Sequence, residues 1–125
     1  MKNAKKYIRT DLAAESMPPP ETLEDANNAA ASGILYNEET KSGYRVETIR
    51  VLNERGEAVT GRPVGTYVTI TVGKLWLASD EQLDAAADII ADILSDMAKR
   101  LAPGGGGVLV CGLGNREITS DAIGP

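Results

Sequence analysis

One long helix, followed directly by an apolar run, constrains the fold of this chain more than any other feature. Ser79 and, three residues later, Gln82 form a capping-box pair, which predicts that a helix begins at residue 80. Acidic residues crowd its first turn, and Lys99 and Arg100 stand in its last turn, which suits the helix dipole. We therefore predict a helix over residues 80–101, ended by a proline and four glycines. Its expected core-facing stripe is Leu83, Ala87, Ile90, Leu94, Met97 and Leu101.

The apolar run Val108–Cys111 that follows the helix is typical of a strand buried on both faces of a parallel sheet. A helix that leads into a buried strand and then a Gly-rich turn is half of an α/β layered fold. We expect this strand at the centre of a mixed sheet, with the helix packed on its face. The lone thiol, Cys111, is then expected to be buried and inert, because a reactive thiolate needs an exposed, electropositive setting.

Two more strands are predicted earlier in the chain. Residues 44–53 are rich in β-branched side chains, and residues 66–72 alternate between apolar and polar side chains, so an antiparallel pair is expected. The connection, residues 54–65, contains turn residues and a proline and is interpreted as a loop. Residues 17–33 begin with three prolines and are interpreted as a loop or linker, which leaves room for a short helix over 21–31.

Composition excludes several classes of function. The 125 residues suit a single domain with its own core. The net charge is −5, and no cluster of lysine and arginine marks a nucleic-acid face. The basic start is not followed by an apolar run, and no stretch is long enough to cross a membrane, so a cytoplasmic protein is expected. The absence of histidine excludes Ser-His triads and zinc–imidazole sites, and a single cysteine excludes an internal disulfide.

The Gly-rich segments give weak signals when taken alone. The four glycines at 104–107 precede the predicted strand and lack a following Gly-Lys-Ser/Thr, so a flexible connection is favoured over a phosphate loop. Gly112 and Gly114 follow the strand, where a dinucleotide loop would lie, but a third glycine is missing. Arg116 and Glu117 stand where close approach of the backbone would be needed.

Asp121 has two interpretations from its position alone. Next to Thr119 and Ser120, it suits the N-cap or first turn of a following helix. It also lies beyond the carboxyl end of the predicted strand, where ligands and chemistry collect in α/β sheets. With no histidine in the chain, a carboxylate is one of the few groups left for catalysis.

Four motifs together resemble the germination protease (spore protease) family of endospore-forming bacteria. They are, in order, "IRTDLAAE", "GRPVGTYVTI", "VLVCGLGN" and "TSDAIGP". The first and last motifs in combination are specific, and the likeness extends over nearly the whole chain. The family usually ends this stretch with Thr-Pro-Asp-Ala-Leu-Gly-Pro. Ser120 and Ile123 depart from that pattern, and neither change affects the acid.

The resemblance implies an atypical endopeptidase that degrades small acid-soluble, DNA-coating spore proteins during germination. It also implies that two aspartates act, and a fold similar to that of hydrogenase-maturation proteases (phosphorylase/hydrolase-like). The first aspartate matches Asp121, in a loop with Gly112, Gly114, Asn115 and Thr119. The second has no counterpart in this sequence. The α/β fold is therefore expected to be incomplete here, and the chain is expected to end as a fragment. These residues alone are expected to be inactive. No cofactor or metal is expected.

The resemblance also implies a self-processing zymogen. The family trims itself inside a motif that "RTDLA" matches, so cleavage is expected between Asp11 and Leu12. Residues 1–11 would be the propeptide, and 12–125 the N-terminal part of a single α/β peptidase domain. The family works as a homo-oligomer, reported as a tetramer, in the forespore and spore core. No direct contact with nucleic acid or membrane is expected.

Two alternatives remain open at this point. In a metal-dependent relative of the hydrogenase-maturation proteases, Asp121 and Glu117 would be metal ligands, although two carboxylates from one loop provide few ligands for a metal ion. A non-catalytic binding or assembly module is the other alternative. Metal analysis of the full-length protein separates the first alternative from the two-aspartate peptidase.

Overall fold

A computed structural model describes residues 32–114, 116 and 117 in two compact units, which divide at Thr71 and Val72. The first unit contains strands β1 (Ile34–Lys41), β2 (Tyr44–Val51) and β3 (Gly65–Thr71), and helix α1 (Glu54–Thr60). The second contains a short 3-10 turn, Leu75–Leu77, and the long helix α2 (Asp80–Leu101). Among the described residues, no helix combines the length and apolar character needed to cross a membrane.

The three strands form an antiparallel sheet in the order β1-β2-β3. Tyr67 of β3 lies opposite Ile49 of β2, which in turn lies opposite Tyr36 of β1. The predicted antiparallel pairing of the second and third strands is confirmed. Strand β1 was not predicted, and it joins β2 through a two-residue turn in which Ser42 and Gly43 have φ of 48° and 84°. Two positive φ angles are typical of the type I′ turn that suits a twisted hairpin.

Helix α1 corrects the interpretation of residues 54–65 as a loop. The side chain of Asn53 accepts hydrogen bonds from the backbone N–H groups of Arg55 and Gly56, at 3.0 and 3.2 Å, and so caps the helix. Gly61, with φ of 66°, ends the helix and donates its N–H to the Glu57 carbonyl at 2.8 Å. Asn53, predicted as the last residue of a strand, and Gly61, predicted as part of the loop, here define the two ends of a short helix.

The core of the first unit is small and lies on one face of the sheet. Tyr36 and Tyr67 pack against its buried residues, and the hydroxyl of Tyr67 donates to the Pro63 carbonyl at 2.7 Å. On the opposite face Val46 is also buried. The buried residues of the cluster are Ile34, Ile49 and Val51.

Two glycines let α1 approach the sheet closely. Gly33 has φ of 73°, and a Cβ atom placed on it would overlap the Asn53 side chain and lie 2.7 Å from the Gly56 nitrogen. A Cβ on Gly56 would overlap the carbonyl oxygen of Gly33. That carbonyl also accepts a 2.8 Å hydrogen bond from Leu52. The entry to β1, the exit from β2 and the start of α1 therefore meet at one crowded point, where neither glycine has room for a side chain.

Helix α2 confirms the prediction of a helix over residues 80–101. Ser79 donates its N–H to the side-chain oxygen of Gln82 at 2.9 Å, and its hydroxyl accepts from the Gln82 N–H at 3.3 Å. This is the expected capping box. Lys99 and Arg100 lie in its last turn.

The face of α2 that is buried differs from the predicted one. Ala86 and Ile89 are buried, whereas Leu94 is 47% exposed and Leu101 76% exposed. The helix is apolar over a wide arc, and periodicity alone does not say which half of that arc packs against other residues.

The predicted central strand Val108–Cys111 is wrong for the described residues. The segment has no regular structure, Leu109 is 87% exposed, and Cys111 is exposed, not buried. A strand needs hydrogen-bonded neighbours, and none of the described strands pairs with this segment. The described sheet is accordingly antiparallel and not mixed. The broader prediction of an α/β protein with a sheet and helices holds.

Candidate functional site

The predicted active-site loop is described only in its first part. Gly112 and Gly114 lie in an exposed segment without regular structure, and Leu113 between them is 88% exposed. Five other predicted site residues lie outside the described residues: Asp11, Leu12, Asn115, Thr119 and Asp121. The role of Asp121 therefore stays a prediction from the sequence.

The glycine run before this loop forms an exposed turn. Gly105 has φ of 81° and donates its N–H to the Ala102 carbonyl at 3.1 Å. A Cβ on Gly104 or Gly107 would meet nothing within 4 Å. This geometry suits a connection after α2, as the sequence predicted for residues 104–107.

A cluster of charged and polar side chains on the β1–β2 hairpin was missed in the sequence. Glu38 and Glu47 lie directly opposite each other in the antiparallel register. Nη2 of Arg45 lies 2.9 Å from the Glu38 carboxylate and 3.1 Å from that of Glu47. The hydroxyl of Tyr36 lies 2.9 Å from the same two carboxylates, so its single proton is shared between them. The alternation of Ile34, Tyr36 and Glu38 before a Ser-Gly turn was the available signal.

The pKa values in this cluster reflect those contacts. Hydrogen bonds from Arg45, and then from Tyr36, lower the pKa of Glu38 below its ordinary value. Burial, and then the hydrogen bond to Glu47, raises the pKa of Tyr36 to about 12. The hydrogen bond to Glu38 raises the pKa of Arg45 further above its already high value.

The cluster is built to balance charge and not to transfer protons. Like charges directly opposite each other on neighbouring strands destabilise a sheet. Arg45 places one cation between Glu38 and Glu47, and Tyr36 supplies a donor to the same oxygens. The lowered pKa of Glu38 keeps its carboxyl group ionised, and the raised pKa of Tyr36 keeps its hydroxyl protonated, near neutral pH. Among residues 32–114, 116 and 117, no three acidic or cysteine side chains form a group able to hold a metal ion.

We expect this cluster to make folding stability depend on acid pH. Because the pKa of Glu38 is lower in the folded state, its contribution is complete above the ordinary glutamate pKa and disappears as the pH falls through the lowered value. Thermal unfolding midpoints measured from pH 6 down to pH 2.5 should fall less steeply in Glu38→Gln and in Arg45→Met than in the unaltered chain. A Glu38→Gln curve parallel to that of the unaltered chain would contradict this assignment.

Comparison with known proteins gives a consistent result. The family model described as "Germination protease" matches residues 11–125. Curated proteins with that name include one from Caldanaerobacter subterraneus subsp. tengcongensis, 36% identical over 118 residues, covering 94% of this chain and 34% of the relative. One from Clostridium perfringens is 34% identical over 119 residues, with 94% and 35% covered, and one from Bacillus pumilus is 33% identical over 122 residues, with 94% and 33% covered. The chain thus spans about a third of the length of these relatives, and no solved structure matches it.

Proposed function

Since this chain belongs to the germination protease family, we propose that it forms part of an endopeptidase and contributes Asp121 as one of two catalytic carboxylates. The extent of the family match carries this proposal. Residues 11–125 include the part of the first motif from Asp11 to Glu15 and the whole of the terminal "TSDAIGP", the two stretches on which the resemblance depends. An ordinary N-cap role for Asp121 would not require the first motif.

Two neighbouring carboxylates supply the chemistry. They do not both ionise easily, so one keeps a proton while the other is free to deprotonate water. The activated water attacks the peptide carbonyl, and the protonated partner assists the carbonyl oxygen or the leaving amine. This mechanism uses no histidine or thiol, in agreement with a chain that contains no histidine. The second carboxylate belongs to a later strand in the family, so we expect no cleavage by these 125 residues alone.

The proposed substrates are the small acid-soluble proteins that coat DNA in spores, cut at a Thr-acid-apolar-Ala sequence. Thr10 to Ala13 has the same pattern, which supports self-processing with residues 1–11 as the propeptide. We further propose a fold of the hydrogenase-maturation type for the complete domain, assembly into a homo-oligomer, and a place in the spore core. The family likeness supports each of these.

The N-terminus tests the self-processing part of this function. In a full-length germination protease that carries this chain, mature protein should begin at Leu12, because Asp11 supplies the acid on the amino side of the cut bond. Asp11→Ala should slow the appearance of mature protein at least tenfold. Glu15→Ala, which removes a nearby acid, should not. N-terminal sequencing and intact mass over time provide the readout.

A different mature N-terminus, or equal trimming in Asp11→Ala and Glu15→Ala, would remove the self-processing proposal. Cleavage of a separate Thr-acid-apolar-Ala peptide by the same preparation would then show whether the peptidase function still stands.

A further inference from the structure

A four-residue pattern occurs twice in this chain. Residues 10–13, at the predicted self-processing site, are Thr-Asp-Leu-Ala, and residues 95–98 are Ser-Asp-Met-Ala. In both, a hydroxyl side chain is followed by aspartate, a large apolar side chain and alanine. Leucine and methionine have similar volumes and often replace each other, and serine keeps the hydroxyl of threonine. The peptide bond between Asp96 and Met97 therefore has the same chemical surroundings in sequence as the bond between Asp11 and Leu12.

The full pattern is more specific than the pair of residues that begins it. A hydroxyl side chain is followed directly by an acid at two other places, Ser79 and Ser120. Neither continues with an apolar residue and then alanine: residues 79–82 are Ser-Asp-Glu-Gln, and residues 120–123 are Ser-Asp-Ala-Ile. The match at residues 95–98 thus extends over all four positions of the predicted processing site.

Helix α2 closes the bond between Asp96 and Met97 to a peptidase. Asp96 is exposed and Met97 is half-buried, and both lie within the helix. In an α-helix each backbone N–H bonds to the carbonyl four residues earlier, so the N–H and the carbonyl of this peptide bond are both paired inside α2. Proteases cut such segments through transiently opened forms, in which these hydrogen bonds are broken. Cleavage at this bond therefore requires the helix to unwind locally.

The last two turns of α2 are able to unwind without exposing its buried residues. These residues, Ala86 and Ile89, lie in the first half of the helix. Leu101, at the end, is 76% exposed, and helix ends fray. Opening residues 95–101, about two turns, frees the whole pattern.

A row of like charges also weakens this helix. Exposed aspartates recur at every fourth position along α2, and like charges four residues apart on a helix repel each other. Aspartate is also among the weaker helix formers. Both effects raise the population of the unwound form. The members of the row are Asp80, Asp84, Asp88, Asp92 and Asp96.

We propose that the bond between Asp96 and Met97 is an internal self-cleavage site, closed while α2 is helical and cut when its last two turns unwind. The inference rests on the proposed function, because it needs the same peptidase activity. Water adds its hydroxyl to the carbonyl carbon of Asp96, and the C–N bond breaks. The other hydrogen of the water goes to the nitrogen of Met97, which leaves as an amine.

Such a cut would end the activity of the molecule that receives it. It separates residues 1–96, which include the sheet, from residues 97–125, which include Asp121. A molecule whose helix stays closed is spared, and a molecule whose helix opens becomes a substrate for its neighbours. The internal site therefore links the lifetime of the peptidase to the stability of α2.

The first test asks whether the sequence is a substrate and whether the helix protects it. A processed, full-length germination protease that carries this chain is the enzyme, and cleavage of a Thr-Glu-Ile-Ala peptide confirms that it is active. A synthetic peptide of residues 91–102 is too short for a stable helix, and should be cut between Asp96 and Met97. The folded 125-residue chain, added as a substrate, should be cut at the same bond at least tenfold more slowly. Mass spectrometry locates and times both cuts.

The second test asks whether Asp96 is recognised. Asp96→Asn should slow cleavage of the 91–102 peptide at least tenfold. In the folded chain it should leave the cut after Asp11 within twofold. Asp92→Asn is the matched control, because it removes an exposed aspartate one turn earlier. It should leave cleavage of the peptide within twofold.

The third test asks whether unwinding limits the cut, and uses Lys99, which lies just outside the pattern. Lys99→Gly and Lys99→Ala remove the same side chain, but glycine favours the open form about fivefold more than alanine. When reclosing is faster than cleavage, the rate follows the population of the open form. The folded Lys99→Gly chain should therefore be cut about fivefold faster than the Lys99→Ala chain. The two corresponding peptides should be cut at equal rates.

Three results would overturn the proposal. One is an uncut 91–102 peptide in a preparation that cuts the Thr-Glu-Ile-Ala peptide. Another is equal cleavage of the Asp96→Asn and Asp92→Asn peptides. The third is equal cleavage of the folded Lys99→Gly and Lys99→Ala chains, since the cut would then not depend on unwinding. Failure to cut the Thr-Glu-Ile-Ala peptide would instead reject the proposed function, and the internal site with it.

Discussion

Replacing Asp121 by asparagine in a full-length germination protease that carries this chain should abolish both peptide cleavage and removal of its own propeptide. The amide keeps the shape of the side chain but neither holds nor releases a catalytic proton. General acid–base groups contribute about a hundred- to ten-thousandfold to rate, so the loss should reach at least that range. Cleavage of a peptide containing Thr-Glu-Ile-Ala, followed by mass spectrometry, measures it.

The matched control is Glu117→Gln, an acid in the same loop. In the two-aspartate mechanism, Glu117→Gln should keep near-normal activity. If Glu117 and Asp121 instead formed a metal site, both variants would be inactive, and metal analysis would find a metal ion in the unaltered protein. If Asp121 were only a helix N-cap, Asp121→Asn would keep its activity, and Asp121→Ala would lose about 0.5–2 kcal/mol of stability. Near-normal cleavage by Asp121→Asn would therefore reject the catalytic role.

Replacing Gly33 by alanine should reduce the free energy of unfolding by about 2–5 kcal/mol, a large effect for one methyl group. Gly33 has φ of 73°, where a residue with a Cβ atom is strained by about 1–2 kcal/mol. The new Cβ would also overlap the Asn53 side chain and crowd the Gly56 nitrogen, which adds about 1–3 kcal/mol of overpacking. Urea unfolding followed by circular dichroism gives the difference.

Gly43→Ala separates the two costs. Gly43 has φ of 84°, but a Cβ placed on it meets nothing within 4 Å. Gly43→Ala should therefore reduce the free energy of unfolding only by the backbone strain, about 1–2 kcal/mol. If Gly33→Ala and Gly43→Ala destabilise the protein equally, the crowded junction between β1 and α1 has no energetic consequence. Gly56→Ala should show the overpacking cost without the backbone cost, because its Cβ would overlap the carbonyl oxygen of Gly33 but Gly56 is a helical residue without a positive φ.

The sequence correctly predicted the helix and strands whose formation depends on residues close to them in the chain. The capping box at Ser79 and Gln82 predicted where α2 begins, and the basic last turn before Pro103 predicted where it ends. The alternation in residues 66–72 predicted β3, because side chains of a strand point in turn to opposite faces. Helix α1 had its own local signal, Asn53 before and Gly61 after, but both residues also suit turns.

Features that depend on distant partners were beyond the sequence. Which half of the α2 apolar arc becomes buried depends on what packs against it: Leu94, predicted to face the core, is exposed, and Ile89, which is not on the predicted stripe, is buried. The apolar run Val108–Cys111 suits a central strand, but a strand forms only beside another. The Arg45 cluster depends on a register that places Glu38 opposite Glu47. The catalytic assignment of Asp121 came from likeness to a family and not from its own spacing.

The order of the three strands has a consequence for how the first unit folds. Each strand pairs with its neighbour along the chain, so every closing loop is short, from the two-residue turn at Ser42 and Gly43 to the α1 connection. Contacts between residues close in sequence cost little chain entropy, and proteins dominated by them fold fast. We expect the sheet to form on the ribosome once Thr71 has left the exit tunnel, before α2 has emerged from it. Protection of β2 amides in stalled nascent chains would reveal this order of events.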